Sequence, residues 1–272
     1  MKKIYGEVVF ITGASSGIGK AIAEYLAKEG YRVYGTTRNL EKLTEKPMEG
    51  IEMVQLDVCN DESIKQAVDY VYQKEGRIDI LINNAGFILA GSIEDTTHEE
   101  AFMQFDTNFF GMHRVCRHVI PLMREKKNGL IINTSSVAGI FSIAYQSMYS
   151  ASKYAVEAFT EALRMELAPF GVKVSMVEPG DTKTNFTSNR VRAKASADSV
   201  YKDIFNKSVS KMEKDEMNGP APTAVVKAVA KIISSSNPPV RIVAGFTYKV
   251  LVFLKRILPS RAVLYILSKM YS

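Results

Sequence analysis

Along the first 180 residues, short β-branched and aliphatic runs alternate with segments of helical period. E-V-V-F-I-T (7–12) leads into A-I-A-E-Y-L-A-K-E (21–29), with Gly30 as the stop. Y-R-V-Y-G-T-T (31–37) and I-E-M-V-Q-L-D-V (51–58) read as the next two strands. A helical segment at about 61–75 leads to I-D-I-L-I-N (78–83), and a long one at about 97–124 leads to G-L-I-I-N-T (129–134). A helix from about Ser147 ends before Gly171, and V-K-V-S-M-V-E-P-G (172–180) is a strand with its exit turn. Continuous apolar runs separated by helices predict an α/β fold whose parallel sheet is covered on both faces. Right-handed crossovers make that sheet doubly wound.

Residues 182–222 break the pattern. They are polar and basic, with weak helical periodicity and the breaker cluster N-G-P-A-P (218–222). Open α/β sheets bind ligands at strand carboxyl ends, so a segment leaving such an end is expected to be a substrate lid. The expected division of one domain, 1–272, is a cofactor-binding and catalytic core (5–181), the lid (182–222), and a terminal strand with an apolar, basic tail (223–272).

Composition excludes several classes. At 46% hydrophobic residues the chain can bury a substantial core. Cys59 and Cys116 are expected to be buried free thiols in a reduced compartment, the cytoplasm. His98, His113 and His118 do not cluster with other ligands, so no metal is expected, and His113 and His118 should share one helix. No secretion signal or membrane-spanning run is evident. From Asp181 onward there are 16 Lys/Arg against 6 Asp/Glu, and after Glu216 no acid at all. These cations are interleaved with aliphatics, unlike the denser, more polar arms that bind nucleic acid, so no nucleic-acid partner is expected. Two readings of the tail stand: a helix pair packed on the domain with lysines reaching outward, or peripheral contact with an anionic membrane.

T-G-A-S-S-G-I-G (12–19) lies between a strand and a helix. Gly13 permits the tight turn, Gly17 lets a pyrophosphate approach the backbone, and Gly19 lets the helix pack against the sheet. The free N–H groups of Ser15, Ser16, Gly17 and Ile18 at the helix start then face an anion. At the end of the second strand, G-T-T-R-N puts Thr37 where a carboxylate would bond ribose hydroxyls, with Arg38 beside it. A carboxylate repels a 2′-phosphate and a guanidinium clamps one, and Ser16 can add a hydroxyl, so the expected cofactor is NADP(H). Asp57, next to Val58, has the type and place to accept from an adenine amino group. In N-N-A-G (83–86), Asn84 can brace nearby backbone, while Ala85 and Gly86 let a cofactor lie close.

Tyr149 and Lys153, in Y-S-A-S-K, share one helical face, but so do Tyr70/Lys74 and Tyr265/Lys269. Spacing alone does not choose among them. Taken together, T-G-A-S-S-G-I-G, D-V at 57–58, N-N-A-G, Asn108 in N-F-F-G, Ser136 in S-S-V-A-G, Y-S-A-S-K and P-G at 179–180 resemble the classical short-chain dehydrogenase/reductase family in order and spacing over about residues 5–185. The resemblance implies a three-layer Rossmann-type sheet. It implies Tyr149 as general acid/base, Lys153 holding the nicotinamide ribose and lowering the tyrosine pKa, Ser136 polarising the substrate oxygen, and Asn108 kinking its helix and holding a relay water. Pro179 and Gly180 would border the nicotinamide, and Thr182 or Thr184 would bond its carboxamide. Tyr70/Lys74 is then an exposed helix face and Tyr265/Lys269 part of the tail.

The expected activity is NADP(H)-dependent interconversion of an alcohol and a ketone or aldehyde, on a lipophilic substrate such as a hydroxysteroid or ketosteroid. A generic carbonyl or quinone reductase is the nearest alternative. A non-catalytic NADP(H)-binding redox sensor is the alternative of another class. The family resemblance also implies a homo-oligomer, dimer or tetramer.

Overall fold

The computed structural model describes residues 2–43, 46–184 and 187–270; residues 185 and 186 of the expected lid, and 271 and 272 of the tail, lie outside the described residues. The first half runs β1 (Val8–Ile11), α1 (Gly17–Lys28), β2 (Arg32–Thr37), β3 (Ile51–Gln55), α2 (Asp61–Glu75), β4 (Ile80–Asn83), β5 (Leu89–Ala90), α3 (His98–Phe105) and α4 (Gly111–Glu125). The second half runs β6 (Gly129–Thr134), α5 (Ser147–Leu167), β7 (Val172–Pro179), β8 (Val191–Arg192), α6 (Lys202–Met217), α7 (Thr223–Ile233), β9 (Arg241–Ala244), α8 (Phe246–Ile257) and α9 (Ser260–Met270). Seven strands form one parallel sheet in the order β3-β2-β1-β4-β6-β7-β9. The order reverses between β1 and β4, which opens a crevice at their carboxyl ends.

Strand alternation divides the core between the two faces. Val8 and Phe10 of β1 point with Leu81 and Ile131 toward α2, α4 and α5, whereas Val9 and Ile11 point with Ile80, Ile82, Leu130 and Ile132 toward α1 and α7. Every residue of β1 and β4 is buried, as the unbroken apolar runs required. Local chemistry ends the helices: Asn60 caps α2 by accepting from Ser63 N at 2.9 Å, and Gly76 stops it at φ 63°. Thr97 and Glu100 form a reciprocal capping box on α3.

The long stretch at 97–124 is not one regular helix. A π-helical turn, Asp106–Phe110, joins α3 to α4 and carries Asn108 inward. Such a turn holds one more residue than an α-turn. The segment expected to be a lid is more ordered than its weak periodicity suggested, since α6 spans sixteen residues and buries Phe205, Ser208, Val209 and Met212. β8 pairs with β5 in a separate two-stranded sheet and ties this segment to the exit of β4. Helix α7 follows N-G-P-A-P directly and was not anticipated as a core element; it packs Val225, Val229 and Ile232 under the sheet.

Cys116 is buried in α4, but Cys59 is exposed, which corrects the expectation of two buried thiols. Cys59 lies past the end of β3, in the loop leading to α2, where the apolar run has already left the sheet. No metal-binding cluster is found among the described residues, and none of their helices is long and apolar enough to cross a membrane.

A buried charged knot fixes the far side of the sheet. Arg241 of β9 meets Glu157 of α5 at 2.9 Å, Glu178 of β7 at 3.4 Å, and the more exposed Glu161. Burial beside a second carboxyl pushes Glu178 up to about 8 and raises Glu157 as well. Folded Glu178 therefore keeps a proton that the unfolded chain releases, and its contribution to stability declines as pH rises from about 4.5 to about 8. Glu178→Gln, which mimics the neutral acid, is expected to melt like the parent near pH 5. At pH 9 it should gain at least about 1 kcal/mol in a pH series of thermal melts. Parallel melting curves for the two proteins across that range would refute the assignment.

Candidate active site

The phosphate turn is built by close approach of two strand ends. Gly13 (φ 67°) and Gly17 (φ 58°) hold left-handed backbone, and a Cβ on Gly13 would stand 2.9 Å from the Cα of Ala85. A Cβ on Gly19 would overlap the carbonyl of Gly13. Asn84 braces the turn, its amide donating to the carbonyls of Thr12 at 3.2 Å and Gly13 at 3.1 Å. Thr12 Oγ1 returns the tie by accepting from the backbone N–H of Asn84 and Ala85. Ser16 stands at the N-cap of α1 without using its side chain there, and with Ser15, Gly17 and Ile18 it lines a neighbouring cavity.

That cavity, of about 860 Å³, runs along the carboxyl edge of the sheet. At one end it is lined by Ser15, Ser16, Gly17, Ile18, Thr37 and Arg38. Its middle is lined by Val58, Asn84, Ala85 and Gly86, and its other end by Ser136, Tyr149, Lys153, Pro179, Gly180, Thr182 and Thr184. Three of the residues expected at the site do not line it. Gly19 is buried behind the turn, in the packing role expected of it. Asp57 turns a carboxylate oxygen back to the N–H of Cys59 at 2.9 Å, although its neighbours Leu56 and Val58 both face the cavity. Asn108 lies beneath the floor, exchanging hydrogen bonds with both backbone groups of Phe87 at 3.0 Å and donating to Ser152 at 3.4 Å.

Tyr149 and Lys153 lie one turn apart on α5, and Ser136 follows β6. Ser136 Oγ accepts from Ala138 N at 3.1 Å and donates to Pro179 O at 3.4 Å, which fixes it beside Tyr149. The Lys153 ammonium donates to Thr134 O at 2.8 Å and stands 5.8 Å from the Tyr149 ring centre. Burial pushes Lys153 down to about 8, against the pull of Glu157. It pushes Tyr149 up to about 12, despite a hydrogen bond with Ser136 and the charge of Arg190; Glu216 and Asp181 add to the rise. In the protein chain alone, desolvation of a phenol buried to 6% exposure is the largest influence on Tyr149.

The other two tyrosine–lysine pairs have no such surroundings. Tyr70 is 44% exposed on α2 and bonds Glu52 together with Lys74, while Tyr265 and Lys269 lie on exposed α9.

Some of the wall was not read from the sequence. Lys42 lines the cavity near Arg38, in a loop with no periodic signal. Behind the wall, Asn83 and Asn133, paired in register on β4 and β6, bond at 2.9 Å, and Asn133 passes the chain on to Thr160 of α5 at 2.9 Å. An asparagine in the last two residues of each strand was the available signal. The segment after β7 adds Asp181, Thr187 and Glu216. Glu216 is held by Arg190, whose side chain is 1% exposed, and by Thr187 at 2.6 Å.

A doubly wound sheet with a glycine turn at its switch point, and a buried serine, tyrosine and lysine across one cavity, defines a dinucleotide-binding oxidoreductase fold. The short chain dehydrogenase family profile matches residues 7–195. The chain is 44% identical to 3-ketodihydrosphingosine reductase of Bacteroides thetaiotaomicron over 90% of each protein, and 34% identical to bovine retinol dehydrogenase 8 over 93% of this chain and 86% of that one. The crystal structure of a short-chain dehydrogenase from Streptomyces avermitilis superposes with a TM-score of 0.80 at 34% identity, covering 97% of both chains. The chain belongs to the classical short-chain dehydrogenase/reductases, a family of NAD(P)(H)-using oxidoreductases acting on small molecules.

The turn fits such a cofactor: its glycines leave a cradle that a Cβ would fill, and Ser15, Ser16, Gly17 and Ile18 line the cavity. Gly19→Ala is expected to lose about 1–3 kcal/mol of stability, because neither the Gly13 carbonyl nor Asn84 can move freely. It should also weaken dinucleotide binding, measured by nicotinamide fluorescence. Unchanged melting and unchanged affinity would overturn this account of the turn.

Proposed function

We propose that the protein is an NADP(H)-dependent oxidoreductase interconverting an alcohol and a ketone on a lipophilic substrate, and that this substrate is a long-chain amino ketone. The observation that carries the reading is the single cavity. It joins a cationic end at Arg38 and Lys42 to Tyr149 and Ser136, and continues to Asp181 and Glu216.

The cationic end supports the choice of dinucleotide. Thr37 offers no carboxylate, and Arg38 and Lys42 are exposed at the cavity rim, where a 2′-phosphate can accept from both. Asp57 keeps its expected adenine role as part of this proposal. Arg38→Asp should reverse the preference for NADPH over NADH in steady-state kinetics. An unchanged ratio would remove the basis for NADP(H).

At the reacting end, Tyr149 gives its proton to a carbonyl oxygen, or takes it from an alcohol, while Ser136 donates to the same oxygen. Burial raises Tyr149, so in the chain alone the phenol stays protonated and is ready to act as the acid. A bound nicotinamide would supply or accept the hydride, and its oxidised form would add a positive charge that favours phenolate. Lys153 holds the ribose hydroxyls. Asn108, at the π-turn, positions the water that relays protons to Lys153. Thr182 and Thr184 hold the carboxamide, and residues 182–222 act as the lid.

The substrate class follows from charge. Two carboxyls, Asp181 and Glu216, lie close to Tyr149; Arg190 pairs with Glu216, and burial raises both acids. An ammonium beside the substrate carbonyl would complement them. A ketosteroid or hydroxysteroid, or a simple carbonyl or quinone, offers no cation there. The likeness to a protein named for 3-ketodihydrosphingosine supports a long-chain ketone of this kind. A redox sensor without turnover leaves the buried Tyr149 and Ser136 without a task. We also take the protein to work in the cytoplasm as a dimer or tetramer; the exposed aromatic pair Phe102 and Phe110, on α3 and the π-turn, is a suitable oligomer contact.

With NADPH, loss of nicotinamide absorbance should be faster for a long-chain 2-amino-3-ketone than for the same ketone without the amine. Asp181→Asn should narrow that ratio. Tyr149→Phe should cut kcat/KM by about 10²–10⁴ without loss of dinucleotide affinity. No turnover of any ketone or steroid would favour the sensor, and equal rates with and without the amine would remove the amino ketone alone.

A further inference from the structure

Helix α8 has two opposed faces. Inward, Tyr248, Leu251, Val252 and Lys255 pack on the domain, with Lys255 donating to the Tyr154 hydroxyl at 2.8 Å. Outward, Phe246, Val250, Phe253, Leu254 and Ile257 recur at four- and three-residue spacing and form one apolar stripe. These are not grazing exposures: Phe246 is 81% exposed, Phe253 60% and Ile257 62%. Lys249 and Arg256 flank the stripe along one side, and both are exposed. A stripe this apolar on the outside of a globular domain marks a contact surface.

We propose that this face of α8, with the α9 that follows it, lies in the surface of an anionic membrane. Charge chooses the occupant. From Met217 to Ser272 the sequence holds no acidic residue, and α8 and α9 carry Lys249, Lys255, Arg256, Arg261 and Lys269. A second copy of the chain docked stripe to stripe would set Lys249 and Arg256 against their own duplicates with no carboxylate between them. Anionic headgroups supply the missing charge, and the acyl boundary accepts the stripe. Length fixes the mode of contact. At twelve and eleven residues, α8 and α9 are well short of the roughly 20 needed to span a bilayer, so they lie in its plane.

The docked helix is also joined to the catalytic cavity. It leaves β9 at the carboxyl edge of the sheet through Gly245, and its first turn brings Tyr248 over Gly180, where any Cβ would meet the ring. The Tyr248 hydroxyl donates to Asp181 at 2.6 Å, and both Gly180 and Asp181 line the cavity. A membrane held by the outer face of α8 is therefore one helix thickness from the wall of the site. The docking inference goes beyond the reaction proposed above and stands without it.

Flotation of the full chain with vesicles tests it, and needs neither substrate nor turnover. The protein should rise with phosphatidylcholine vesicles that contain phosphatidylglycerol, stay behind with phosphatidylcholine alone, and detach as salt is raised. Phe253→Ser/Ile257→Ser and, separately, Lys249→Glu/Arg256→Glu should each abolish flotation while dinucleotide binding and melting persist. If the wild-type chain never rises with anionic vesicles, the proposal is wrong. It is equally wrong if both double variants float as before. Should light scattering instead show that the serine pair splits an oligomer of a chain that does not float, the stripe belongs to a second copy.

Discussion

The site depends on how closely the ends of two neighbouring strands approach at the crevice. Just past β1 and β4, Thr12 and Asn84 tie the two strand ends through four hydrogen bonds that leave Gly13 against Ala85 with no room for a side chain. Because that gap is closed, the N-terminus of α1 is aimed along the crevice rather than at solvent. The anionic part of a dinucleotide then has a fixed place, and the position of its reactive ring across the sheet is set by distance from it. A second polar chain, Asn83 to Asn133 to Thr160, ties β4 and β6 to α5. Two sets of ordinary amide bonds thus hold the two halves of the cavity in register.

The parts of the fold legible in the sequence are those where a local constraint has one solution. Gly13 and Gly19 sit where a side chain has no room and Gly17 holds left-handed backbone, so the turn is legible from its glycines set between a strand and a helix. The continuous apolar runs of β1, β4 and β6 likewise admit burial on both faces and nothing else. Tyr149 and Lys153 differ in kind. Their spacing recurs at Tyr70/Lys74 and Tyr265/Lys269, and only Ser136, Asn108 and the turn distinguish one pair from the others.

What the sequence hid was set by partners distant along the chain. Lys42 sits in a loop without period, and its place beside Arg38 depends on how that loop folds back. Glu157, Glu178 and Arg241 come from three elements, and each alone reads as a surface residue. Helix α6 looked weakly periodic because its buried face includes Ser208 beside Phe205, Val209 and Met212, so hydropathy undercounts that face. The burial that raises Tyr149 in the chain alone is likewise a property of the assembled cavity and has no local signal.

The π-turn at Asp106–Phe110 hides one residue in an otherwise continuous helical path. It closes on the fifth residue where an α-turn closes on the fourth, so α4 leaves it facing the same way as it would from a regular helix one residue shorter. Met112, Val115, Val119 and Met123 therefore keep their register against the sheet whether or not the extra residue is there. What the extra residue changes is local: Asn108 reaches both backbone groups of Phe87. A relative shorter by one residue here could keep the whole core and lose only that contact. An alignment gap in this stretch bears on the site and not on the fold.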